Sequence, residues 1–132
     1  DFHTAHKLIL HSHNESASRR LGRLVGEISQ TPDKVLFARY ELDFHMCLRT
    51  KMTRKRHTNV LHHAMGHLKN VLDSNAKHEL LTTIEDYRRG LLPLIVPLTL
   101  LKFSVNRHAV AYLRGQLYFD PHPKELMLRN HC

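Results

Sequence analysis

Arg56-His57-Thr58-Asn59-Val60-Leu61-His62-His63-Ala64-Met65-Gly66-His67-Leu68-Lys69-Asn70-Val71-Leu72 is the stretch that decides the fold. Val60, Leu61, Ala64, Leu68 and Val71 recur at helical spacing, so they form one apolar stripe rather than the alternating faces of a strand. Asn59, His62, His63, Gly66 and Asn70 lie opposite that stripe. A glycine inside a helix costs about 1 kcal/mol relative to alanine, so Gly66 points to a helix or ligand close to the backbone. His57 opens the apolar stripe and reads as a hydrogen-bonded core histidine.

Helical spacing extends outward from this segment in both directions. The preceding helix, about residues 32–50, starts at Thr31-Pro32-Asp33 and is apolar on two sides. Val35, Leu42 and Met46 share one face, and Phe37, Tyr40, Phe44, Cys47 and Leu48 share the other, which predicts the central helix of the fold. Upstream, Ser12-x-x-Glu15 matches a capping box for a helix with its stripe at Ala17, Leu21, Leu24, Val25 and Ile28, after a short first segment, Phe2 to His11. Downstream, Ser74 or Asn75 caps a helix buried through Leu80, Ile84, Tyr87 and Leu91, and Gly90 stops it. Pro93 and Pro97 interrupt the next apolar run, and a buried helix restarts there and ends near Arg107. Tyr118 to Pro123 reads as extended, with a final turn over Lys124 to Arg129. The expectation is an all-α protein: one domain over 1–132, a compact bundle of about six helices with a short irregular C-terminal segment.

Composition narrows the class further. The 132 residues carry 42% hydrophobic and 24% charged side chains, which is globular rather than disordered. Cys47 and Cys132 are far apart and no C-x-x-C occurs, which argues against a cysteine zinc site or disulfide scaffold and fits a reducing, cytoplasmic setting. The longest apolar run, Leu91 to Leu101, holds two prolines and is too short to span a bilayer, so no membrane partner is expected. The chain opens at Asp1 with neither an initiator Met nor a secretory stretch, which fits a domain cut from something longer.

The formal net charge is +8, and Arg49, Lys51, Arg54, Lys55 and Arg56 cluster with no acid among them. Such a cluster attracts phosphate by Coulomb forces and counterion release. No acidic residue lies between Asp86 and Asp120, where Arg88, Arg89, Lys102, Arg107 and Arg114 fall, and Arg19, Arg20 and Arg23 add a third basic group. Thirteen histidines raise the question of metal, but His63-x-x-x-His67 and His3-x-x-His6 lack a local third ligand, so no metal site is expected. Glu85 and Arg89 are ordered for an ion pair along a helix. No P-loop, nucleophile elbow, dinucleotide fingerprint or kinase signature appears, and no catalytic residue or cofactor is assigned.

Three segments together resemble the bacterial YbgA family: Arg56-His57-Thr58-Asn59-Val60-Leu61-His62-His63, Ile84 through Leu101, and Pro121 through His131. Phe2 to Leu8 and Leu21-Gly22-Arg23-Leu24-Val25 fit the family's opening. That domain occurs alone or fused behind a TudS-type thiouracil desulfidase domain, and the fused proteins look like desulfidases acting on 4-thiouridine in transfer RNA. The resemblance implies that the YbgA-like part holds the RNA. Two distant cysteines are too few to ligate the iron–sulfur cluster that sulfur removal requires, so the chemistry would belong to a TudS-type domain in cis or in trans.

The expectation is a non-catalytic, transfer-RNA-binding accessory domain. Arg54, Lys55 and Arg56 contact phosphates; Arg88, Arg89, Lys124 and Arg129 extend the track; Asn59, His62 and Asn130 hydrogen-bond sugar or base edges; Tyr118 is the candidate for base stacking. Two alternatives stand beside it. One is a small-molecule or metal-dependent enzyme with a polar pocket of Asn59, His63, Glu85 and Arg89. The other is a protein-interaction module, which a large exposed apolar patch would favour.

Overall fold

The computed structural model describes residues 1–120 and Arg129. Among them are seven α-helices, a 3-10 turn and no strand, so the protein is an all-α bundle. The order is α1 (Phe2–His13), α2 (Glu15–Gln30), α3 (Lys34–Arg49), α4 (Arg54–Leu68), α5 (Ser74–Arg88), α6 (Ile95–His108), the single-turn α7 (Ala111–Arg114) and the 3-10 turn Leu117–Phe119.

Two apolar cores meet at α1. The larger gathers Leu8 with Val60, Leu61, Ala64 and Leu68 of α4, Leu80, Ile84 and Tyr87 of α5, Leu98, Leu101 and Val105 of α6, and Leu113, Tyr118 and Phe119. The smaller gathers Leu10 with Ala17, Leu21, Phe44 and Cys47, with Tyr40 and Leu48 packed on it. Leu8 and Leu10 project to nearly opposite sides of α1, and burying each is worth roughly 1.5–3 kcal/mol, so α1 is the shared wall.

This overturns the expectation that α3 is central. Its Phe44–Cys47 side is buried, but Val35, Leu42 and Met46 are 73%, 59% and 55% exposed. The short first helix takes the middle because it is buried on two sides. α2 and α3 form a hairpin whose outer turns have no third layer: Leu24, Val25, Ile28 and Leu36 are half-buried. Val71 and Leu91, read as stripe residues, are exposed because α4 and α5 end before them.

The helix ends also differ from the sequence reading in instructive ways. α1 runs through His13, so Ser12 is still helical and its hydroxyl donates to the Ile9 carbonyl at 2.6 Å. Asn14, with extended backbone, caps α2 instead, its side chain accepting from the Ala17 amide at 3.0 Å. Asp33 and Asp73 cap α3 and α5 in place of Thr31 and Ser74. Gly90 does end α5: it sits at φ 81°, its amide bonds the Tyr87 carbonyl, and the Leu91 amide bonds that of Asp86. That is the paired closure of a Schellman motif. Among the described residues no other segment comes within 4 Å of where a Gly66 Cβ would stand, so the expected close approach is not found among them. Tyr118 belongs to the 3-10 turn rather than an extended strand, and its packing into the larger core is the reason. Lys124, Asn130 and the rest of the expected C-terminal turn apart from Arg129 lie outside the described residues.

Gln116 fastens the wall in place. Its side-chain oxygen accepts from the Leu8 amide at 3.1 Å, and its nitrogen donates to the Thr4 carbonyl at 2.6 Å. These are the two groups that a regular helix pairs with each other, so Gln116 grips one turn of α1 at both of its polar ends. Gln116 is 1% exposed. Replacing it with Leu strips the clamp from buried polar groups, and urea unfolding of Gln116→Leu is expected to show a loss of about 1–3 kcal/mol.

Candidate functional site

The basic cluster falls at the start of α4, where Thr53 caps the helix by accepting from the Arg56 amide at 3.1 Å. The α1–α2 corner is held beside it through Thr50, the C-cap of α3: His13 Nδ1 donates to the Thr50 carbonyl at 2.8 Å, and the Asn14 amide nitrogen donates to the Thr50 hydroxyl at 3.3 Å. Between the corner and the first turns of α4 lies a cleft of about 390 Å³, whose walls include His11, Glu15, Ser16, Lys55, Arg56, Asn59 and His63.

Three of the residues expected to bind RNA, Lys55, Arg56 and Asn59, meet in this cleft. One face of α4 carries Asn59 and His63 one turn apart. The opposite wall supplies His11 and Ser16, which no sequence signal marked because they come from the end of α1 and the start of α2, far upstream in the chain. The His11 and His63 rings are 5.3 Å apart, His67 is 5.3 Å from His63, and Tyr112 is 4.6 Å from His67. Burial, and then the charge of His63, lower the His11 pKa below the ordinary histidine value. The one acid among the described residues of the cleft wall, Glu15, is engaged by Arg19 at 2.5 Å.

Other expected contacts go elsewhere. Arg54 reaches across to α5, where its guanidinium donates to the Tyr87 carbonyl at 2.5 Å and lies 4.9 Å from the Tyr87 ring centre. Arg129 is 2% exposed, so it is no surface phosphate contact: it donates to the Tyr118 carbonyl at 2.6 Å and stacks 4.6 Å from that ring. Tyr118 is fully buried and presents no face to a base. Arg88 is the last residue of α5, and His62 on α4 lies near enough to that end to act on Glu85. Glu85 pairs with Arg88 rather than Arg89, two hydrogen bonds of 2.8 and 2.5 Å holding its carboxyl below the ordinary range. The reason is that α5 ends at Arg88, and Arg89 departs from the helix as its C-cap. Arg89 is exposed. The pocket expected from Asn59, His63, Glu85 and Arg89 therefore does not assemble: the first two line the cleft and the last two stand at the end of α5.

His57 is a core residue, as its place on the stripe implied. It is fully buried and shares a 2.6 Å hydrogen bond between Nδ1 and the Tyr118 hydroxyl. No group of three or more His, Cys, Asp or Glu among the described residues is placed to hold a metal ion. No helix among them is long and apolar enough to cross a membrane.

The described residues thus form an all-α bundle with a basic, histidine-walled cleft between its α1–α2 corner and α4. The family described as "Protein of unknown function (DUF1722)" matches residues 7–123. The chain is 32% identical over 131 residues to the "Uncharacterized protein YbgA" of Escherichia coli (strain K12), covering 98% of this chain and 78% of that one. The chain belongs to the DUF1722, or YbgA, family. No solved structure matches it.

Burial, with smaller contributions from the charges of Arg129 and His13, lowers the His57 pKa to about 3 from an ordinary 6.5. The unfolded chain therefore binds this proton first as pH falls. The stabilisation is complete above the unfolded value and is lost as pH drops from 6.5 toward 3, at about 1.4 kcal/mol per pH unit. His3, His11 and His67 are also lowered and act with the same sign. Urea midpoints measured between about pH 7.5 and about pH 4.5 are expected to fall steeply, and His57→Gln to flatten that slope even if it lowers stability throughout.

Proposed function

We propose that this chain is a non-catalytic RNA-binding domain that holds transfer RNA in the cytoplasm for a TudS-type 4-thiouridine desulfidase, carried in cis or in trans. The observation behind the RNA half of this reading is the convergence of Lys55, Arg56 and Asn59 on one cleft, whose acidic wall residue Glu15 is held by Arg19. The net charge of +8 adds long-range attraction for a polyanion. The desulfidase half rests on the family resemblance and on cysteines too few for the sulfur chemistry. Arg54 and Arg129 drop out of the contact set because their guanidinium groups serve the interior. Arg89 stays in it as an exposed cation at the end of α5.

Binding of transfer RNA is expected to weaken steeply between about 50 and about 200 mM salt. Lys55→Ala with Arg56→Ala should make the plot of log Kd against log salt shallower by about two, while Arg54→Ala should lower thermal stability. Affinity that is absent at low salt, or indifferent to salt, would defeat the reading.

The solvent-facing stripe of α3 favours a second reading, a protein-docking module. Val35, Leu42 and Met46 align over three turns on the side away from the smaller core, and Phe37 is also exposed. In that case Leu42→Lys with Met46→Lys should abolish co-purification with a TudS-type domain supplied in trans, leaving the folded state and any RNA affinity intact.

A further inference from the structure

We infer that the cleft between the α1–α2 corner and α4 is a phosphomonoester site, which takes the terminal phosphate of a nucleotide or of a 5′-phosphorylated RNA end. This deepens the RNA-binding reading and rests on it for the longer ligand. An internal phosphodiester brings one negative charge, whereas a terminal phosphate brings about two at neutral pH. The cleft gathers more cationic capacity than one phosphodiester uses: Lys55 and Arg56 from α4, with the imidazoles of His63 and His11 facing each other at 5.3 Å. Asn59 adds a neutral donor beside them. Glu15, the only acid among the described wall residues, is engaged by Arg19. Each helix cap already takes one local amide, Ala17 by Asn14 and Arg56 by Thr53, so side chains carry the site. At about 390 Å³ the cleft is within the range that accepts a nucleotide-sized ligand.

A dianion seated beside His11 favours its protonated form. The groups that bias the His11 titration are Lys7 on α1, Glu15 and Arg19 on α2, and His63 on α4. All but Glu15 oppose protonation, and burial does the same at His11. Ligand binding at about pH 7.5 therefore draws a proton from solvent.

The test compares one single-stranded RNA octamer bearing a 5′-phosphate with the same octamer bearing a 5′-hydroxyl, beside uridine 5′-monophosphate and uridine. Calorimetry in two buffers of different ionisation enthalpy gives affinity and proton uptake together. Expected are about tenfold tighter binding of the phosphorylated octamer, net proton uptake, and loss of both in His63→Gln and His11→Gln, with the exposed His78→Gln on α5 unchanged. Uridine 5′-monophosphate that binds as tightly as the phosphorylated octamer identifies a free nucleotide as the ligand; a tighter octamer identifies an RNA end. Equal affinity for the two octamers with no monophosphate binding overturns this inference and leaves RNA binding standing. Monophosphate binding with neither octamer bound overturns RNA binding and leaves the site standing. Unchanged preference in both folded His→Gln variants overturns the assignment of the cleft.

Discussion

The structure hangs on the two hydrogen bonds between the Gln116 side chain and the backbone of α1. A helix pressed between two apolar layers needs a fixed depth and a fixed rotation, and apolar contacts are non-directional. A carboxamide meeting one amide and one carbonyl supplies the direction. With α1 set, Leu8 enters the larger core, Leu10 enters the smaller, and the turn after His13 lands beside the start of α4. The cleft is thus a consequence of how α1 is seated, although most of its charge comes from α4.

Cation counting alone misjudges what a basic protein offers a polyanion. Arg54 and Arg129 each cap an aromatic ring and a carbonyl, Arg19 and Arg88 are held by glutamates, and Lys102 is paired with Asp120. Exposed pairs of this kind contribute little to stability, but they occupy the charge. Lys55 and Arg56 line a concave wall, where Arg56 also donates to the Lys51 carbonyl at 2.6 Å. Arg20, Arg23 and Arg39 line concave surface between α2 and α3 as well, but Glu27 and Asp43 stand among them.

Helix content was legible because the spacing of residues such as Val60, Ala64 and Leu68 is a local property. Gly90 was legible because a left-handed turn has a strong residue preference. The rank of the helices was not, since apolar residues on two sides of α3 are compatible with a central helix or with one unpartnered face, and only tertiary packing decides. Ser12-x-x-Glu15 matched a cap whose position depends on where the previous helix ends, which tertiary contacts set. Of the site, the α4 wall could be read from its charge run, whereas the His11 wall could not, because pairing across two helices leaves no spacing signal. Arg129 and Tyr118 were misread for a related reason: an arginine late in the chain looks solvated until its aromatic neighbour is known.

The α2–α3 hairpin leans on the body chiefly through four buried side chains, Ala17, Leu21, Phe44 and Cys47, packed around Leu10 of α1. So small a satellite layer opens at lower free-energy cost than the main core, which makes the hairpin a cooperative unit of its own. Its first turn, at Glu15 and Ser16, is also a wall of the cleft. Hydrogen exchange in α2 and α3 is thereby thermodynamically linked to whatever occupies that cleft: an occupant closes the hairpin, and a loosened hairpin releases the occupant.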